Sequence, residues 1–186
     1  LTLTTTHIDE LLEKCRRGDE RAQMKIYNKY SKAMYNVALR IVKDSAEAED
    51  IMQECFLKAF DKLNSFEGTS TFGAWLKKIV VNHSISVYNK NTRYQEVQYD
   101  DQFKHAADEG AGIASEEEEQ NPKVKMILKT MESLKENYRV ALTLHLIEGY
   151  DYEEICEILN ITYANCRTTI SRAKESLRTK LLSYEN

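Results

Sequence analysis

Four cysteines (Cys15, Cys55, Cys156, Cys166) and four histidines (His7, His83, His105, His145) are the side chains here most able to ligate a metal or attack a substrate. Their spacing supports neither. No Cys-x-x-Cys pair occurs, and no two histidines stand as ligands on one helix would. Cys55, Cys156 and Cys166 fall at apolar helical positions, the setting of buried reduced thiols. There is no Gly-rich phosphate loop and no nucleophile and base at a recognisable spacing. The sequence therefore predicts a protein that is not an enzyme, holds no metal and needs no cofactor. The chemistry that remains is recognition. Glu47, Asp50, Gln53 and Glu54 form an acidic and amide cluster able to meet something basic. Phe66 is a lone aromatic in a polar loop. Lys77, Lys78, Lys90 and Arg93 can hold phosphates, and hydrogen-bond donors crowd the stretch from Thr162 to Lys174.

Helices must position these groups. Ala48, Ile51, Met52, Cys55, Phe56, Ala59, Phe60 and Leu63 recur at steps of three and four, which makes one helix face apolar and leaves the carboxylates off it. The loop Asn64–Thr71, with Gly68 and small hydroxylated residues, breaks that helix. Phe72, Trp75, Leu76, Ile79, Val80 and Val87 restart the pattern in a basic and polar helix reaching Tyr88. Trp75 lies on this apolar stripe, which favours the core over a stacking platform. Phe66 has two readings, a lid over the core or a platform for a base. Upstream, Ile8, Leu11, Leu12 and Cys15 predict a short helix stopped by Gly18. Asp19 or Gly18 then opens a long helix through Ala22, Ile26, Met34 and Ile41, and Asp44 or Ser45 caps the next. These helices make a four-helix first domain, residues 1–94.

The charge is uneven. The net value of -4 resolves into +3 over residues 1–95, -8 over 96–122 and +1 over 123–186. Two mildly basic lobes flank an acidic strip, and a locally varying field can bind DNA although the whole chain is acidic. Periodicity fades from Asn89, and the run Glu116–Glu119 marks residues 95–121 as an acidic linker kept solvated and extended by its charge. No apolar run approaches the roughly 18 residues a membrane span needs, and the start does not resemble a signal peptide. The expectation is a cytoplasmic protein with no membrane insertion.

A second helical domain, 122–186, follows. Pro122 suits a first helical position, and Val124, Ile127, Leu128, Met131 and Leu134 line one face. Another helix ends at Gly149. Two more, from Tyr152 to Leu159 and from Tyr163 to Leu182, are separated only by Asn160-Ile161-Thr162, a helix-turn-helix break. Thr162 can cap the last helix, on which Tyr163, Asn165, Arg167, Thr168, Ser171, Arg172 and Lys174 offer donors. Such a helix in a major groove reads bases near its N-terminus and grips phosphates with Arg and Lys. An ordinary solvated face is the alternative for Arg172, Lys174 and Arg178. The fold class expected is all-α, in two small domains.

The stretch from Ala46 to Phe60, followed by Phe72-Gly73-Ala74-Trp75-Leu76-Lys77-Lys78-Ile79-Val80-Val81-Asn82, resembles the second conserved region of extracytoplasmic-function sigma factors, initiation subunits of bacterial RNA polymerase. Leu134–Leu142, Glu148–Cys156 and Ile170–Leu177 resemble the fourth conserved region of the same sigma-70 family, in family order and spacing. The sequence departs at Lys135, where a Pro is usual, at Cys156 for a small Ala, at Asn160 for the turn Gly and at Thr169 for a common Arg.

The resemblance implies an alternative sigma factor that binds core RNA polymerase and promoter DNA. It assigns Glu47, Asp50, Gln53 and Glu54 to the clamp coiled coil of the polymerase, with the flap as a second contact. It assigns Phe66, Trp75, Lys77, Lys78, Asn82 and Arg93 to recognition and melting of the minus-ten element, where the loop takes up a base flipped from the non-template strand and Asn82 lies beside that pocket. Thr162, Tyr163, Asn165, Arg167, Thr168, Ser171, Arg172 and Lys174 would bind the minus-thirty-five duplex. The linker would thread through the polymerase toward the nascent RNA path, and an anti-sigma factor is an expected partner. Two rival classes stay open: a helix-turn-helix regulator acting without polymerase, and an interaction protein or sigma antagonist that borrows the fold.

Overall fold

The computed structural model describes residues 2–98 and 121–184. The chain divides into two compact units, Leu1–Ala111 and Gly112–Asn186. The described residues are helical with no strand, as the sequence pattern predicts.

In the first unit α1 spans Thr2–Arg16, α2 Glu20–Val42, α3 Ser45–Asp61 and α4 Phe72–Gln98, with a short 3-10 turn, Leu63–Ser65, after α3. α2, α3 and α4 each begin where a polar side chain satisfies orphan amides. Asp19 accepts from the N–H groups of Arg21 and Ala22 at 2.9 and 3.1 Å, and Asp44 accepts from that of Glu47 at 2.7 Å. Thr71 Oγ1 accepts from Ala74 N–H at 3.2 Å to open α4. Gly18, at φ +82°, supplies the left-handed turn between α1 and α2.

The core gathers one stripe from each helix: Leu12, Ile26, Ile41, Cys55, Leu63, Leu76 and Val80 are buried. At about 1.5–3 kcal/mol for each large aliphatic taken out of water, this stripe is what holds the four helices together. Gly73 lets α2 approach α4, since a Cβ there would meet Tyr30 Cε1 at 3.0 Å. α4 continues ten residues beyond Tyr88, where the apolar pattern fades, so residues 95–98 of the expected linker are helical. The rest of that acidic stretch, residues 99–120, lies outside the described residues.

In the second unit α5 is Pro122–Glu132, α6 Glu136–Leu142, α7 Tyr152–Leu159 and α8 Tyr163–Tyr184. Asn121 caps α5, accepting from Lys123 N–H at 3.0 Å with Pro122 in the first turn. α6 runs on as a π turn, Thr143–Ile147. Asp151 and Glu154 form a capping box at the start of α7, each side chain bonding the other's backbone N–H at 2.8 and 2.9 Å. Val140, Leu142, Leu144, Ile155, Ile170 and Ala173 are buried between these helices.

Candidate functional site

Asp50, Gln53 and Glu54 stand exposed on α3, while Glu47 is half-buried. The four are not equally free. Both carboxylate oxygens of Glu47 accept from Asn91 Nδ2 on α4, at 2.9 and 3.1 Å. Gln53 Nε2 donates to Glu49 Oε1 at 3.2 Å. Glu54 accepts from Lys58 Nζ at 3.2 Å and lies 3.0 Å from His83 Nε2 on α4, with Lys58 Nζ also 3.4 Å from His83 Nδ1. An imidazole carrying its hydrogen on Nε2 satisfies both contacts, donating to Glu54 and accepting from Lys58. The Lys58 hydrogen bond and charge hold the Glu54 carboxyl below its usual range. Among these polar groups Leu57 is 71 % exposed. Sequence reasoning did not single it out, although an aliphatic residue off the apolar stripe of α3 was the available signal.

The loop after α3 is held from two sides. The Phe66 ring is buried, 5.8 Å from Phe72 in an edge-on contact and 5.3 Å from Trp75. Of the two readings of Phe66, the lid over the core is the one its ring adopts in the free chain. Its carbonyl accepts from Arg16 Nη2 of α1 at 3.1 Å, and Arg16 also pairs with Glu13. Gly68 takes φ +74° as the loop turns toward α4.

On α4, Trp75, Lys78, Asn82, Ser86, Asn89 and Arg93 follow at steps of three and four, so they share one face. Trp75 and its neighbours in the aromatic cluster stand at the N-terminal end; Trp75 is half-buried and the other five are exposed. The row extends about 27 Å at the helical rise. It unites four of the predicted residues. Lys77 is half-buried on another side of α4 and does not join them.

In the second unit Asn160, at φ 52°, occupies the left-handed position of the turn between α7 and α8. This is the role a turn Gly would fill, and Asn tolerates it. Thr162 Oγ1 accepts from Asn165 N–H at 3.3 Å, capping α8. Cys166, Ile170, Ala173 and Leu177 face inward. Tyr163, Arg167, Ser171 and Lys174 form one row beside them, and Asn165, Thr168 and Arg172 another; all are exposed except Lys174, which is half-buried. Thr169 donates to Asn165 Oδ1 at 3.2 Å, turning the Asn165 NH2 group outward. Thr168 spends its donor on Ala164 O at 2.8 Å. Tyr163 is propped against Tyr152, ring centroids 6.1 Å apart, and Tyr152 against His145 at 5.1 Å.

All four cysteines are free thiols. Among the described residues no group of three or more His, Cys, Asp or Glu is placed to hold a metal ion. No helix among them is long and apolar enough to cross a membrane.

The described residues thus present three groupings: an acidic helix face, a clamped aromatic loop with a polar row beside it, and a capped helix-turn-helix. The sigma-70 region 2 profile matches residues 26–94, and the sigma-70 region 4 profile matches residues 125–177. The RNA polymerase sigma-H factor of Pseudomonas aeruginosa is 30% identical over 181 residues, 94% of each chain. The chain belongs to the sigma-70 family. It is an alternative RNA polymerase sigma factor of the extracytoplasmic-function type, which directs promoter-specific initiation and is not itself an enzyme. The ECF RNA polymerase sigma-E factor of Escherichia coli K12 is 31% identical over 179 residues, 92% of each chain. Among solved structures, the sigma factor RpoE in complex with the anti-sigma factor NepR, from Bartonella quintana, has the same fold. It matches at a TM-score of 0.57 and 24% identity over 88% of this chain and 98% of that one.

Proposed function

We propose a division of labour for this sigma factor between residues 1–94 and 122–186, with the acidic stretch 95–121 as their tether. Asp50, Gln53 and Glu54, with Leu57 one turn further along α3, dock on the clamp coiled coil of core polymerase, and Glu47 supports them from the turn before. The loop that the buried Phe66 ring anchors and the α4 row of Trp75, Lys78, Asn82 and Arg93 engage the non-template strand of the minus-ten element. Lys77 serves as a flanking phosphate contact. Melting is driven by trapping unstacked bases, since a pocket and ring stacking can offset the few kcal/mol that extrusion costs.

The α8 rows, Tyr163, Arg167, Ser171 and Lys174 beside Asn165, Thr168 and Arg172, read the minus-thirty-five duplex, and Thr162 fixes the N-terminus from which they project. The flap of the polymerase is the second contact of this unit. An anti-sigma factor is the regulator we infer, since the RpoE of Bartonella quintana was solved with one. The site of action is the cytoplasm, where the polymerase works.

The observation that supports this reading best is the uninterrupted polar row on α4 that starts at the Phe66–Trp75 contact. The outer face of an ordinary surface helix needs only to meet water. This one sets Lys78 and Arg93 among Asn82 and Asn89 beside an aromatic cluster, groups that suit phosphates and bases together. Reconstituted transcription with core polymerase on genomic templates is the test. The expected result is promoter-dependent initiation that Asp50→Arg with Glu54→Arg abolishes while duplex binding survives. Initiation that is indifferent to both reversals would overturn the docking assignment.

A further inference from the structure

We propose that Arg16 is a positioning residue for promoter opening, holding the backbone of the Phe66 loop from α1 in the shape that receives the extruded base. The inference rests on the reading above that this loop handles the melted strand.

The geometry is specific. Arg16 lies 50 residues before Phe66, yet its Nη2 donates to the Phe66 carbonyl at 3.1 Å in a part-buried contact. Glu13, one turn earlier on α1, pairs with the same guanidinium and orients it. A charged donor on a carbonyl is among the stronger hydrogen bonds a loop can receive. The loop has need of it, because residues 67–71 are all exposed and the helical bonding of the 3-10 turn ends with Phe66 N–H to Leu63 O. The buried Phe66 ring fixes one side of the residue and Arg16 the other, so the backbone leading to Gly68 leaves in one direction. A site held in shape before its ligand arrives loses less conformational freedom on binding.

Arg16 turns toward the protein. α1 and the loop enclose a cleft of about 570 Å³ in which Asp9, Glu10, Glu13 and Glu67 outnumber Lys14, Arg16 and Arg17. A phosphate gains nothing from a lining with that balance, which leaves the Phe66 carbonyl as the natural acceptor for Arg16.

The test uses the full chain with core polymerase on a promoter mapped for the wild type, following permanganate reactivity of unpaired thymines. Arg16→Met keeps the packing stem and removes the donors. It is expected to slow opening about tenfold while core affinity and duplex affinity stay at wild-type values and Tm falls by no more than the few degrees that loss of one hydrogen bond gives. Arg16→Lys, which retains a charged donor, is expected to recover part of the rate. Glu13→Gln, on an exposed carboxylate, is expected to give a smaller loss in the same direction and keeps the test valid if Arg16→Met fails to fold. Opening at the wild-type rate in Arg16→Met, or in Glu13→Gln when the former is unfolded, would overturn the proposal. So would a loss of Tm and core affinity in step with opening. Asn82→Ala separates this failure from failure of the loop reading. If Asn82→Ala impairs opening and Arg16→Met does not, the positioning role alone is wrong; if neither does, the loop reading has failed.

Discussion

Asn91 donates through one nitrogen to both carboxylate oxygens of Glu47, at 2.9 and 3.1 Å, and so ties the C-terminal half of α4 to the first turn of α3. Four polar side chains that look interchangeable in sequence therefore differ in availability. Glu47→Gln is expected to change core-polymerase affinity less than threefold and to destabilise the first unit by about 1 kcal/mol, the usual size of one net hydrogen bond. Asp50→Arg is expected to lower core affinity more than tenfold with Tm unchanged, the pattern of a like-charge clash at an interface. Fluorescence titration of core enzyme together with thermal melts distinguishes the two.

Leu57 is surrounded by Gln53, Glu54 and Asp61 on an outward face, where an aliphatic side chain does nothing for the fold. Leu57→Ala is expected to leave Tm within about 1 °C and to weaken core binding by about 1–2 kcal/mol, the range for an apolar anchor at the centre of an interface. Unchanged core binding would remove Leu57 from the docking face.

The hydroxyl of Thr169 sets which group of Asn165 points outward. Thr169→Val keeps the shape and deletes the donor. About a threefold to tenfold loss in minus-thirty-five duplex binding is expected, with reduced discrimination among sequences, since an untethered carboxamide can present either end. Competition with variant duplexes would reveal it. No loss of discrimination would mean that Asn165 is not a base reader.

Burial pushes the thiols of Cys55 and Cys166 from an ordinary value near 9 up to about 11. Each therefore binds a proton more tightly when folded than when unfolded. Their contribution to stability is complete below pH 9 and is lost as pH rises from about 9 to 11, where the unfolded thiols ionise first. Urea unfolding across that range should show stability falling with pH, and Cys55→Ala with Cys166→Ala should flatten that slope. At neutral pH the half-exposed Cys156 should be alkylated before either of them, which peptide mapping after a brief iodoacetamide pulse would reveal.

What the sequence made legible was local. Asp19, Asp44, Pro122 and Thr162 mark helix starts because capping is decided within three residues, and the α3 stripe is visible because its period repeats. The turn at Asn160–Thr162 could be read for the same reason. α4 beyond Tyr88 was not legible, since Asn89, Lys90, Asn91 and Arg93 continue a helix without an apolar stripe to announce it. Nor was the Arg16 contact, which joins residues 50 apart and leaves no periodic trace. The α4 row from Trp75 to Arg93 was hidden differently: Trp75, Lys78, Asn82 and Arg93 stand out one by one for their chemistry, Ser86 and Asn89 do not, and only the helix phase joins the six and separates Lys77 from them.

The π turn at Thr143–Ile147 fits one residue more into its coil than an α-turn would. Excising a single residue there would let the coil close to an ordinary α-turn and keep the phase of the chain on either side, since the bulge already absorbs the surplus residue. Gly149 and the capping box would then keep their heading, and the disturbance would fall on the packing of Thr143 and Leu144, both buried. A library of single-residue deletions across this turn should therefore cost stability through those two side chains and leave the choice among promoters as it was.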